Sequence, residues 1–261
     1  MDVTEIVAEL TEESLDLDAI VAGLSTADWG RDTPAVGWTI AHQIAHLAWT
    51  DRIALLAITD PAAFAVHLSD VLAAPETFVD IAAQQTLAEP ADLLATWRTG
   101  RAELATALLG VPRGQRIPWY GTSMSPGSMA TARIMETWAH GLDVADTLGI
   151  TRKPTSRLRH IAFLGHRTLG YAFLAHGRPV PEAPVRLELT APDGSLWTFG
   201  PEDATDRVTG PALDLCLLVT QRRNRADLRL SAQGAVADEW LDIAQAFAGP
   251  PGAGRPAAGE H

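Results

Sequence analysis

Glu136 and His140 stand four residues apart in a stretch, 128–143, whose apolar residues recur at helical spacing. On a helix that separation sets a carboxylate and an imidazole on one face, one turn apart. Two such groups hold a divalent cation once a third donor arrives from another element, and three protein ligands leave one coordination position open for water or substrate. The obvious third donor is His46, in a second helical segment that opens at Trp38 and Thr39. Two imidazoles and a carboxylate suit zinc, and they equally describe the facial triad of non-haem iron, so the donor set leaves the metal open. An i,i+4 pair of this kind is also common on solvated helix surfaces. What argues against that here is the company of Ile134, Met135, Trp138, Ala139 and Leu142, because a buried carboxylate or imidazole needs a partner.

Other candidates surround this set. His42 and His46 form a second one-turn pair, but no Glu follows His42, so the helical metalloprotease motif is absent. His42 reads as a polar residue near the helix start, three positions after the N-cap candidate Thr39, where a capping box would carry Glu or Gln. Asp143 is placed to orient the His140 ring, with a solvated carboxylate as the equal alternative. His67, His160, His166 and His176 lack ligand-spaced partners and read as satisfied or surface residues. Arg222 and Arg223 read either as a solvated helix end or as guanidiniums that grip a substrate carboxylate. Tyr120, in a loop directly before the Glu136 helix, is the remaining catalytic candidate.

Four long helical patterns position these residues: 3–24, 39–59, 91–109 with Pro90 in the first turn, and one from 128 to about 149. Pro61 and Pro75 divide 60–85 into two short helices, and the Gly/Pro-rich stretch 110–127 is a long loop of the kind that walls pockets. Arg152-Lys-Pro154 marks a boundary. Beyond it come a helix over 155–176, a hairpin of strands 185–190 and 195–199 turning at Asp193-Gly194, a helix over 211–221, a strand over 227–232 and a helix over 235–248. The expected organisation is a metal-binding helical domain (1–152), a smaller α+β domain (153–248) and a disordered Gly/Pro/Ala tail (249–261).

The totals exclude several classes. With 20 Lys and Arg against 32 Asp and Glu, a net charge of −12 speaks against nucleic-acid or anionic-membrane partners. Residues 1–31 hold eight acids against one arginine. No apolar run approaches the length of a membrane span, and the N-terminus has no signal-peptide pattern, so a cytoplasmic protein is expected. The single cysteine, Cys216, lies in an apolar run and reads as a buried inert thiol.

Two segments carry a resemblance: Gly37-Trp-Thr-Ile-Ala-His-Gln-Ile-Ala-His-Leu47 and Glu136-Thr-Trp-Ala-His-Gly-Leu-Asp143. Together they resemble the mycothiol-dependent maleylpyruvate isomerase family, within the DinB-like superfamily of metal-binding four-helix bundles. The likeness extends over nearly the whole chain, and 119–129 is similar to an uncharacterised actinobacterial subgroup. It implies a DinB-like four-helix bundle followed by a smaller sterol-carrier-like α+β domain. It also implies a three-ligand site of His46, Glu136 and His140, holding zinc, with nickel or iron(II) as alternatives. The family commonly has an acidic residue where His42 stands, and an arginine from its second domain assists the reaction; Arg222 or Arg223 is the counterpart. The implied function is isomerisation or S-transfer on a small unsaturated acid with a thiol such as mycothiol. Two other readings stand beside it: Lewis-acid or water-activating metal chemistry without a thiol, and a non-catalytic small-ligand-binding protein. A small-molecule partner is expected, and a homodimer is an open option.

Overall fold

The computed structural model describes residues 2–73, 77–252 and 254–259, and the chain divides into two compact units, Met1–Arg152 and Lys153–His261. The first unit is helical: α1 (Val3–Val21), α2 (Thr26–Trp29), α3 (Ile40–Thr59), α4 (Pro61–Ala73), α5 (Phe78–Thr86), α6 (Pro90–Gly110) and α7 (Pro126–Leu148). The long helices α1, α3, α6 and α7 form a bundle in which α3 packs on α6 and α7, and α1 packs on α7 and α6. One layer of its core gathers Leu17, Ile40, Ile44, Leu47, Leu93 and Trp97, and another gathers Ile6, Leu10, Ile53, Leu104, Leu108 and Ile134.

Local chemistry sets the helix ends. Thr39 caps α3 by a capping box in which His42 replaces the usual acid: its Nδ1 lies 2.8 Å from the Thr39 hydroxyl and 3.2 Å from the Thr39 amide. Ser125 caps α7, accepting from the Ser128 amide at 3.1 Å, with Pro126 in the first turn, and Gly149 ends the helix at φ 69°. Gly141, next to His140, lies close to the Arg152 side chain: a Cβ there would come 2.8 Å from its guanidinium, which pairs with the buried Glu13 of α1, so Arg152 would have to give way.

The second unit holds α8 (Leu158–Arg167), α9 (Leu169–Ala175), β1 (Val185–Thr190), β2 (Leu196–Phe199), β3 (Asp206–Pro211), α10 (Ala212–Val219), β4 (Ser231–Gln233) and α11 (Ala235–Ile243). Its mixed sheet runs β2-β1-β3-β4, with β1 antiparallel to β2, parallel to β3, and β3 antiparallel to β4. The expected hairpin is present. The expected helix over 155–176 breaks at Thr168, and the strand expected over 227–232 is confined to β4 behind a 3-10 turn, Arg225–Asp227. Strand β3 was not expected, because its Gly210-Pro211 end reads as a turn. Cys216 is fully buried and burial pushes its thiol pKa up, as an inert thiol requires.

The described part of the tail makes several contacts with the rest of the second unit. Gly249 exchanges hydrogen bonds with the Tyr171 hydroxyl at 2.8 and 3.0 Å, the Asn224 amide donates to the Arg255 carbonyl at 3.0 Å, and the Ala258 amide donates to Asp227 at 3.1 Å. Main-chain groups make these contacts, so side-chain composition gave no sign of them. No described helix is long and apolar enough to cross a membrane.

Candidate metal centre

The ligand helices are neighbours in the bundle, and their adjoining faces bring His46 of α3 against Glu136 and His140 of α7. His46 Nε2 lies 3.1 Å and His140 Nε2 3.3 Å from the same carboxylate oxygen, Glu136 Oε2. One donor atom from each residue lies within 4.8 Å of the other two, and the imidazole centroids are 4.4 Å apart. His46 is buried, and the side chains of His140 and Glu136 keep 14% and 21% of their surface exposed, so the cluster reaches solvent on one side. Burial alone would raise the Glu136 pKa; hydrogen bonds from His140 and His46 overcome it and hold the carboxylate well below its usual range.

These donors fit a divalent cation. Two imidazole nitrogens and an ionised carboxylate oxygen converge on one small volume, and a cation there would satisfy all three at once. His42 lies outside this set. Its Nε2 meets Gln84 of α5 at 3.1 Å while its Nδ1 serves the α3 cap.

The surroundings are built rather than incidental. The Trp38 ring stacks on His140, with centroids 5.9 Å apart and planes at 20°, and tilts over His46 at 5.4 Å. Its indole N–H donates to Asp80 of α5 at 2.8 Å. His140 Nδ1 lies 2.5 Å from the Gln43 side-chain oxygen, so Gln43 occupies the orienting position for which Asp143 was the sequence candidate. Gln43 was not anticipated, although it sits three residues before His46 and hence on the same helix face, a spacing sufficient to find it.

Tyr120 does not join the ligand cluster. Its hydroxyl lies 2.7 Å from His67 Nε2, inside an aromatic group with Phe64, Phe78 and Trp119. Burial pushes its phenol pKa upward. His67 therefore has a partner within the first unit, and burial lowers its pKa against the pull of Asp70. Arg222 and Arg223 follow α10 in the second unit, where Arg222 donates to the Thr220 carbonyl at 2.7 Å. Arg223 lines a cavity of about 250 Å³ with Asn224, Arg225 and Arg255.

Comparison with known proteins adds the following. The family model described as "Mycothiol maleylpyruvate isomerase N-terminal domain" matches residues 10–145, and one described as "Wyosine base formation" matches residues 181–231. Two proteins of Mycobacterium tuberculosis strains, the uncharacterised MT0041 and Rv0036c, are each 56% identical over 250 residues, covering 95% of this chain and 97% of theirs. Crystal structures of the mycothiol-dependent maleylpyruvate isomerase and of a histidine-to-alanine mutant of it share the fold. Their TM-scores are 0.57 and 0.61, at 15% and 16% identity, each covering 89% of this chain and 93% of that one.

Proposed function

We propose, from the premise that this chain belongs to the mycothiol maleylpyruvate isomerase family, a metal-dependent enzyme that uses a low-molecular-weight thiol on a small unsaturated acid. Zinc is the expected ion and mycothiol the expected thiol. The observation that carries the reading is the convergence of His46, Glu136 and His140 on one volume with a side open to solvent. When bound, the ion supplies the Lewis acidity that lets a thiol or water lose its proton near neutral pH.

The chain's own groups do the rest. The two imidazoles and Glu136 would hold the ion, and the carboxylate would offset one of its charges. Trp38 covers the imidazoles and keeps water from that flank. In isomerisation the thiol sulfur adds to the activated double bond, the resulting single bond turns, and expulsion of the same thiol restores the double bond in the other geometry. Nothing is oxidised or reduced. In S-transfer a proton is taken up at the carbon next to the activating group and the thioether is kept. Tyr120, with a phenol that burial keeps protonated, is suited to donating a hydrogen bond rather than removing a proton.

The test is turnover of a cis-unsaturated keto acid such as maleylpyruvate by zinc-loaded protein, with and without mycothiol. Turnover that needs both is the expected result. Turnover without thiol would shift the reading to thiol-free Lewis-acid or water chemistry, and unchanged turnover by Glu136→Gln would remove the site from the reaction altogether.

A further inference from the structure

We propose that Gln43 is a positioning residue: a one-way hydrogen-bond relay, Gln43 to Thr33 to the Trp38 carbonyl, fixes His140 with its proton on Nδ1 and the Nε2 lone pair facing the cation. This rests on the metal reading above and deepens it.

The direction of the relay follows from what each group can do. The Trp38 carbonyl can only accept, and the Thr33 hydroxyl lies 2.7 Å from it. A hydroxyl has one proton, so the Thr33 oxygen must act as an acceptor toward its other neighbour. That neighbour is the Gln43 side chain at 2.8 Å, and the group facing Thr33 must therefore be the amide NH2. The Gln43 carbonyl is left pointing the opposite way, at His140 Nδ1, 2.5 Å distant. An acceptor at that distance requires Nδ1 to carry the proton. Nε2, the nitrogen that faces Glu136 and His46, is then the one left to meet the cation, and without the cation it hydrogen-bonds to Glu136 instead.

The reverse orientation is penalised at both ends. With the amide turned over, the Thr33 hydroxyl would have to give up its bond to the Trp38 carbonyl to meet the Gln43 oxygen. The NH2 would face Nδ1, forcing the proton onto Nε2, where it would occupy the position the cation needs. Gln43 is fully buried, so water cannot relieve either conflict. The Thr33 amide also donates to the Trp38 carbonyl, at 2.8 Å, which holds the relay's terminal acceptor in place. The loop before α3 thus sets the proton position on a ring carried by α7.

The experiment has two independent readouts. Long-range proton–nitrogen correlation spectra of the metal-free protein report whether His140 Nδ1 carries a proton. Competition with a chromophoric chelator reports zinc affinity. The wild type is expected to show the Nδ1–H form. Gln43→Leu should lose that preference and bind zinc roughly 10- to 100-fold more weakly, the usual cost of removing an outer partner of a ligating histidine. Gln43→Glu keeps an acceptor toward Nδ1, and the Thr33 hydroxyl can rotate to donate to it, so affinity should return to within about threefold of wild type. Thr33→Val, a change in a partly exposed loop, should give an intermediate loss without burying a new cavity. A His140 Nδ1 without a proton in the wild type, or Gln43→Leu binding zinc within about twofold of it, overturns the proposal. Failure of the wild type to bind zinc would instead overturn the functional reading, and the tautomer spectrum would still decide the role of Gln43.

Discussion

Two buried polar groupings lie along the seam between α3 and α7, and they differ in how they balance. Asp51 and Arg133 form a closed pair, Nε to Oδ1 2.8 Å, with side chains 6% and 2% exposed, one negative group against one positive. His46, Glu136 and His140 set a single carboxylate against two imidazoles and keep a face toward solvent. The positions show that the helices run antiparallel, since Asp51 lies after His46 on α3 while Arg133 lies before Glu136 on α7. The pair satisfies itself, apart from Arg133 Nη2, which has no hydrogen-bond partner. The cluster instead gathers three possible metal donors around one volume, one more than a closed pair needs. Charge closure marks a structural brace, and a surplus of donors marks a binding site.

The sharpest way to break that comparison is to remove a donor. His46→Ala or Glu136→Gln should take the metal content, read by elemental analysis, from about one ion per chain to near zero while the helical content by circular dichroism is kept. Arg133→Met should do the opposite. It leaves the carboxylate of Asp51 buried without its partner, which costs about 3–5 kcal/mol in urea unfolding, while the folded fraction still takes up metal. The double variant Asp51→Leu, Arg133→Met should recover most of that loss, because an apolar pair of similar volume is often neutral or better. Loss of metal from folded Arg133→Met would show that the brace belongs to the site.

Much of this contrast is readable in the sequence, for definite reasons. The four long helices of the bundle follow from apolar periodicity and from punctuation at Pro90, Pro126 and Gly149. Glu136 and His140 are legible because helical spacing alone puts them together. Their junction with His46 is not, since no local rule fixes which faces of α3 and α7 meet; that came from the resemblance of the two segments. The Asp51–Arg133 pair was missed for the same reason, being a contact across the seam. In the second unit, β3 was missed because its pairing with β1 is parallel and 21 residues distant (Val185 with Asp206), so nothing near it announces a strand.

Removing the Tyr120 hydroxyl sharpens the comparison from a third direction. Tyr120→Phe breaks the bond to His67 while leaving the ring packed among Phe64, Phe78 and Trp119, so the stability loss should be about 1 kcal/mol and zinc affinity should be unchanged. A drop in turnover with wild-type zinc affinity would mark the hydroxyl as a substrate contact rather than part of the brace.

The smallest effect expected is at a third carboxylate, Asp18 of α1, which tests whether exposure sets the value of a pair. Arg98 and Arg101 of α6 both reach it, with contacts of 2.6 and 2.5 Å, but the Arg98 side chain is 47% exposed. The hydrogen bond from Arg98 lowers the Asp18 pKa most; burial opposes it, and the charge of Arg101 adds to the lowering. A carboxylate whose folded pKa lies below its unfolded value contributes stability above the unfolded value, and that contribution is lost as pH falls through the folded one. Wild type should therefore exceed Asp18→Asn by about 1 kcal/mol at neutral pH, with solvent screening keeping the figure small. The gap should close as pH falls below the ordinary aspartate value of 3.8 and shrink in high salt. A salt-insensitive gap as large as that of Arg133→Met would mean that Asp18 is enclosed like Asp51, and that partial exposure of a partner does little to weaken a pair.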